Sequence, residues 1–320
     1  VLKKLSFLEE YQEKIKSGDI KGAYETIKKA EASSPTPDEL LLIGSIYLQM
    51  GLNQDAERAL TRADEEGVKN YALYVNLGVC YNRLGRFDEA VETLYKALEM
   101  RDDIIGIYIN LTTALKYAGK TQEALDLLDK AIAKFPDEGE VYNTRGFLFE
   151  YLGWYEEASR DYKRATELNP NNAIYWINLG NSNIHLDNLE DAKICFNKAT
   201  ELDPENPLAY NNLSYYYMRI RDYDTALEMV NLALNKDPQY FQAYLNRGVI
   251  LTYLKRYEDA LKDFEKAIEL RPNNPAGYFN TGRILDILGR TDKALEVLKE
   301  GAELGNEQCS ELIKIIESRK

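Results

Sequence analysis

Residues 241–274 read FQAYLNRGVILTYLKRYEDALKDFEKAIELRPNN, and the fold is decided by how often this stretch comes back. Its alanine at 260 recurs as Ala56, Ala90, Ala124, Ala158, Ala192, Ala226 and Ala294, every step 34 residues. Seven residues further on stand Ala63, Ala97, Ala131, Ala165, Ala199, Ala233, Ala267 and then Gly301. Between the two small residues lies a bulky one each time: Leu60, Leu94, Leu128, Tyr162, Phe196, Val230, Phe264 and Leu298. Twelve residues before the first alanine the chain is small (Gly44, Gly78, Thr112, Gly146, Gly180, Ser214, Gly248, Gly282). Sixteen before it stands Leu40, Tyr74, Tyr108, Tyr142, Trp176, Tyr210, Tyr244 or Tyr278. Eight copies in strict phase make an internal repeat, the signature of an array of identical supersecondary units.

Each copy spells two helices. Counting from the start of a repeat, positions 20, 24 and 27 share one face at i, i+4, i+7. Glycine at position 15 (Gly18, Gly51, Gly85, Gly119, Gly153, Gly289) marks the turn between the helices. All nine prolines fall at position 32 or position 1, where a helix stops or starts. Small residues at positions 8, 20 and 27 let two backbones approach closely. The expectation is nine antiparallel helix pairs, then an amphipathic capping helix over 306–320 with Leu312, Ile315 and Ile316 turned inward. Such a cap covers the last apolar face of an array.

The pattern resembles the tetratricopeptide repeat, a 34-residue helix–turn–helix unit. That family calls for an aromatic at position 4, small residues at 8, 20 and 27, and proline at 32, here Pro136, Pro170, Pro204, Pro238 and Pro272. Val68, Asp102 and Asn306 depart from the last requirement. Repeats are assigned to 37–70, 71–104, 105–138, 139–172, 173–206, 207–240, 241–274 and 275–308. A divergent ninth at 4–36 has Phe7, Gly18, Ala23, Ile27, Ala30 and Pro35 in register, is one residue short, and carries Tyr11 where a small residue belongs. The resemblance implies an all-α fold: a right-handed superhelical α-solenoid, a single domain over 1–320, with first helices lining a concave groove.

Composition narrows the function. The 320 residues carry 40 basic against 53 acidic side chains, a net charge of −13, which repels phosphate backbones and argues against nucleic acid as a partner. No apolar run approaches the 18 residues of a membrane span. Cys80, Cys195 and Cys309 are far apart and odd in number, which fits neither a disulfide framework nor a CxxC metal site. With one histidine, His185, and no phosphate loop or GxSxG, no catalytic residue, metal site or cofactor is expected. The chain begins with Val1. A cytoplasmic location is favoured, and an exported or periplasmic one stays open if a leader has been removed.

On a helical wheel the first helix separates its packing positions (4, 7, 8, 11, 14) from an opposite face (2, 5, 6, 9, 12, 13). Position 6 of that face reads Asn76, Asn110, Thr144, Asn178, Asn212, Asn246 and Asn280 in seven consecutive repeats. Asparagine is a poor mid-helix residue, so its recurrence has a local cost. Its amide offers a donor and an acceptor, matching the pair on a peptide backbone. The column is similar to the asparagine ladder lining the superhelix of O-linked N-acetylglucosamine transferase; the local alternative is hydrogen bonding between neighbouring repeats. The same face carries Val75, Ile109, Ile177, Leu245 and Phe279 at position 5, Val79, Phe147, Tyr215 and Val249 at position 9, and Tyr117, Tyr151 and Tyr253 at position 13. A contiguous apolar stripe marks an interaction surface. Positive charge there is sparse: Arg83, Lys116, Arg219 and Arg283. Repeat 173–206 adds Asn181 and His185, and places Asn183 at position 11, where most other repeats have Tyr, Phe or Leu; a buried amide there needs a partner. Cys80 and Cys195 read as small buried thiols, and Glu156, Glu157, Asp161, Glu190 and Asp191 as a solvated outer face.

The leading expectation is a non-enzymatic protein-interaction scaffold holding an extended, partly apolar peptide in its groove. Its contact residues are Asn76, Asn110, Asn178, Asn181, Asn212, Asn246, Asn280, Phe147, Tyr151, Tyr215, Arg219, Tyr253 and Arg283. Two alternatives stand beside it: the substrate-recruiting arm of a larger enzyme, and self-association through the irregular N-terminal repeat. A chaperone-type carboxylate clamp is disfavoured, because position 2 holds no lysine in any regular repeat.

Overall fold

The computed structural model describes residues 6–319; Lys4 and Leu5, which open the divergent repeat, lie outside the described residues. Among the described residues there are nineteen helices and no strand. The first pairs are α1 (Ser6–Ser17) with α2 (Ile20–Ala32), α3 (Pro37–Gln49) with α4 (Asn53–Glu65), and α5 (Tyr71–Arg83) with α6 (Phe87–Met100). Next come α7 (Ile105–Tyr117) with α8 (Thr121–Lys134), then α9 (Gly139–Tyr151) and α10 (Tyr155–Leu168) in sequence, and α11 (Ala173–His185) with α12 (Leu189–Leu202). The last pairs are α13 (Pro207–Arg219) with α14 (Tyr223–Lys236), α15 (Phe241–Tyr253) with α16 (Tyr257–Leu270), and α17 (Pro275–Ile287) with α18 (Thr291–Glu303), followed by a single α19 (Glu307–Glu317). The chain packs as two compact units, one through Leu148 and one from Phe149.

The packing rule is the same in both units. Ala56, Leu60 and Ala63 on α4, and the equivalent residues of α6, α8, α10, α12, α14 and α16, are fully buried. Position 24 lies against position 8 so closely that small residues stand there, glycine most often. A Cβ built on Gly248 would sit 2.5 Å from Phe264 Cε1, and one on Gly44 would sit 2.5 Å from Leu60 Cγ. Where position 8 is Ser214 the residue at position 24 is the smaller Val230. In the N-terminal unit first helices pack side by side (α3 on α5, α5 on α7), and in the C-terminal unit α11, α13, α15 and α17 do the same. Second helices pack on first helices instead.

The repeat boundaries are fastened by hydrogen bonds that the aromatic column supplies. Tyr108 and Tyr142 donate to the carbonyls of Asp102 (3.0 Å) and Pro136 (3.1 Å). Trp176 Nε1 donates to Pro170 (2.8 Å), and Tyr244 and Tyr278 donate to Pro238 (3.2 Å) and Pro272 (2.9 Å). Position 4 is therefore aromatic with a polar tip because it buries a ring and reaches the last turn of the preceding repeat. First helices are then started by side-chain caps: Asn172, Asn206 and Asn274 accept from the amides of Ile174, Leu208 and Ala276. Among second helices α2 and α14 are capped by Asp19 and Asp222, whereas α10 and α16 have no such cap and carry Glu156–Glu157 and Glu258–Asp259 in the first turn, where the helix dipole favours anions.

Two inferences from the sequence are corrected. On α19 it is Cys309 and Ile316 that are buried, with Leu312 and Ile313 partly so, while Ile315 is 49% exposed and faces out. The buried set follows i, i+3, i+4, i+7, a stripe one residue away from the one expected. Asp161 is buried, not part of a solvated outer face, because position 23 points back toward the first-helix layer, as Cys195 and Asp263 also do.

Position 15 has left-handed backbone in all nine repeats. Six are glycines, such as Gly153 at φ 76°, and three are Asp187 (φ 60°), Arg221 (φ 63°) and Lys255 (φ 58°). A side chain in this region costs about 1 kcal/mol relative to glycine. Arg221→Gly and Lys255→Gly should each raise stability by about 0.5–1 kcal/mol, and Gly153→Ala should lower it by a similar amount; chemical denaturation midpoints check both signs.

Candidate functional site

The face presented by first helices is best followed in the C-terminal unit, where α11, α13, α15 and α17 stand in a row. Asn178, Asn212, Asn246 and Asn280 occupy the same turn of these four helices and all are half-buried. Asn246 Nδ2 crosses to Asn211 Oδ1 on α13 (2.8 Å), and its Oδ1 accepts from Gln242 (3.2 Å). Asn212 Oδ1 takes a long bond from Asn211 (3.5 Å), and its buried Nδ2 has no protein partner. Asn280 Nδ2 turns back on the Ala276 carbonyl of its own helix (3.0 Å), leaving its Oδ1 unengaged. In the N-terminal unit Asn110 does the same with Gly106 (2.8 Å), as Thr144 does with Glu140, and Asn76 is half-buried. Asn246 thus bonds across to a neighbouring repeat, whereas Asn212 keeps a free donor and Asn280 a free acceptor. The sequence reading missed Asn211; at position 5 the flanking repeats have Ile177 and Leu245, and that exception was the available signal.

The apolar stripe divides. Ile177 and Leu245 are buried, contrary to the expectation of a solvent-facing position 5, because neighbouring first helices close over them. Val75, Ile109 and Phe279 are half-buried. The accessible rings belong to positions 9 and 13: Phe147, Tyr151, Tyr215 and Tyr253 in the expected set, with Tyr117 beside them. Position 13 is steadied by position 17 of the preceding repeat. Tyr253 stacks on Tyr223 (centroids 4.8 Å), Tyr117 on Phe87 (5.0 Å) and His185 on Tyr155 (4.1 Å).

The four cations differ in their engagement. Lys116 is buried, with its ammonium 4.1 Å from the Tyr117 ring centre and 4.4 Å from that of Phe147. Arg219 pairs with Asp187 (3.0 Å) at the edge of a cleft of about 470 Å³ that Tyr223, Val249 and Tyr253 also line. Arg83 donates to the Leu48 carbonyl (2.5 Å). Arg283 is half-buried and makes no ion pair with the described residues, among which its buried Nε has no partner. Asn181 is half-buried one turn along α11 from Asn178. Among the described residues no three His, Cys, Asp or Glu side chains gather as a metal site. No helix of the described residues is long and apolar enough to cross a membrane.

The remaining nucleophiles are withdrawn. Cys80 and Cys195 are buried, and burial pushes each thiol up to about 11 from an ordinary 9.0; Cys309 is shifted the same way. Burial also raises Tyr47, hydrogen-bonded to Glu31 (2.9 Å), and Tyr162, hydrogen-bonded to Glu150 (2.7 Å). These groups hold their protons more tightly folded than unfolded. The stability they confer is complete below about pH 9 and is lost as pH rises through the folded values. Melting temperature should therefore fall between about pH 9 and about pH 11, and less so in the Cys80→Ala/Cys195→Ala double variant, followed by circular dichroism.

Models of the tetratricopeptide repeat match residues 70–137, 173–206 and 241–274, and further ones match 149–184 and 195–228 with 264–296. Together they span more than half of the chain, which belongs to the tetratricopeptide-repeat family. It is a protein-interaction scaffold of that family, and its partners are proteins. Among solved structures it is similar to yeast Tom70, with a TM-score of 0.64 at 17% identity over 98% of this chain and 88% of that one. It also matches MamA, with a TM-score of 0.44 at 23% identity over 52% of this chain and 96% of that one. No curated protein matches the sequence.

Proposed function

We propose that the first-helix face of the C-terminal unit binds an extended peptide segment of a partner protein, gripping its main chain through the asparagine column. The observation that carries this reading is the state of the amides: Asn212 keeps a buried Nδ2 with no partner, and Asn280 keeps an unengaged Oδ1. A buried donor without an acceptor costs about 1–3 kcal/mol, a cost that a peptide carbonyl would remove. Local bonding between repeats accounts for Asn246 and leaves these two unexplained. Tyr215 and Tyr253 flank the column and offer ring faces to side chains, with Arg219 at the rim and Arg283 beside Asn280 supplying donors. Phe147 and Tyr151 present the same kind of ring on α9. Asn76 and Asn110 provide the same chemistry in the N-terminal unit.

The ligand on this reading is uncharged or mildly acidic and in β-like extension, since a helical peptide has already satisfied the groups the amides would take. Each amide contact contributes about 1 kcal/mol net. Unstructured twelve-residue peptides selected from a displayed library on the folded chain should lose about 100-fold in affinity against the Asn178→Ala/Asn212→Ala/Asn280→Ala variant, with helicity retained. Selected peptides that bind the variant as tightly as the wild type would overturn the proposal.

A further inference from the structure

Repeat 173–206 breaks its own pattern at two positions, and both breaks line one cleft. Position 11 is Tyr, Phe or Leu in the other seven regular repeats, Tyr47, Tyr81, Phe149 and Tyr217 among them, and is Asn183 here. Position 22 is charged in all seven others, as in Arg160 before it and Glu228 after it, and is Ile194 here. The repeat is polar where the others are apolar and apolar where they are charged. Neither substitution helps the fold.

The place where they meet is a cleft of about 600 Å³ between α10 and α12, floored by α11, on the side away from the asparagine column. The position-11 side chain elsewhere rises from the first helix toward the second-helix layer: Tyr47 is fully buried and its hydroxyl reaches Glu31 on α2. Asn183 is too short to fill that space. It is only 6% exposed, its Nδ2 finds nothing nearer than Cys195 Sγ at 4.0 Å, and its Oδ1 has no hydrogen-bond partner among the described residues. That oxygen is open to the cleft, and covering it with a group that offers no donor is costly. Trp176 contributes a wall, its indole N–H tied to Pro170 and its ring therefore fixed. At the mouth Ile194 is 62% exposed, the most exposed large apolar side chain of the described residues.

We propose that this cleft receives a tyrosine side chain from a partner protein. The ring takes the space that Tyr, Phe or Leu fills in the other repeats, and the hydroxyl donates to Asn183 Oδ1. A hydrocarbon ring would leave that oxygen without a donor, so the site discriminates tyrosine from phenylalanine. A free phenol lodged in the cleft would not cover Ile194, whereas the chain on either side of a docked tyrosine does, and a buried aromatic anchor ringed by apolar contact is how protein interfaces concentrate their affinity. The site uses no residue of the asparagine column, so it stands or falls separately from the peptide-binding reading.

The test uses the full chain with Trp154→Phe, which leaves Trp176 as the one tryptophan reporter of the two the sequence holds. N-acetyl-tyrosinamide should perturb Trp176 fluorescence saturably in the millimolar range, about tenfold tighter than N-acetyl-phenylalaninamide and tighter than p-cresol. Asn183→Leu, a residue that position 11 already tolerates in three repeats, should abolish the response while raising the melting temperature. Asn183→Ala should keep binding and lose the preference for tyrosine. The asparagine-column triple variant should respond as the parent does. No saturable response, an unchanged response in Asn183→Leu, or no preference over phenylalaninamide overturns the proposal. Tighter binding of p-cresol than of N-acetyl-tyrosinamide would assign the cleft to free phenols and overturn the partner-protein reading.

Discussion

In five of the helix pairs a bulky side chain on the second helix lies against bare backbone on the first, as Phe264 does on Gly248 and Leu60 on Gly44. At these glycines there is no room for a methyl group, and the other features of the repeat are arranged around the contact. It fixes how near the two helices come, and the fully buried alanines at positions 20 and 27 extend that approach to the neighbouring first helix. Because one contact is copied at a fixed interval, the chain is built from nearest-neighbour terms, and local departures in one repeat leave the next one intact.

Close pairing makes the two faces of the array unlike. First helices touch their counterparts in adjacent repeats within each unit, which buries Ile177, Asn211 and Leu245 at position 5 and leaves the half-buried amides of position 6 and the rings of positions 9 and 13 at the surface. Second helices rest on first helices, so spaces open between them, and the position-11 side chain decides whether such a space is filled. The same geometry thus yields an amide-and-ring surface on one side and, at Asn183, an unfilled cleft on the other. The shared aromatic stacks, such as Tyr253 on Tyr223, tie position 13 to the preceding repeat and hold the exposed rings in place.

Period, helix pairing and core were legible in the sequence because they repeat; the alanines at 20 and 27, the glycine at 8 and the prolines at the boundaries each carry one geometric meaning. What repetition does not encode was harder to read. Asp187, Arg221 and Lys255 adopt the left-handed turn without the glycine that announces it. Asp161 is buried because position 23 faces the first-helix layer, and its charge gave the opposite impression. Ile315 lies one residue off a stripe that a wheel drawn on eleven residues does not fix. The asparagine column was visible as a pattern of identity, but its hydrogen bonds depend on rotamers, so the turn back of Asn280 and the bridge through Asn211 emerge only in the folded structure.

Main-chain recognition differs from side-chain recognition in what it leaves indifferent. The most direct measurement is a backbone scan of a bound peptide, in which single peptide nitrogens are methylated in turn and compared with single side-chain replacements by alanine. Gripping by the asparagine column predicts loss of affinity at alternate methylated nitrogens, about tenfold at each, with most alanine replacements tolerated. Affinity that survives methylation throughout and collapses at one or two alanine positions would contradict it.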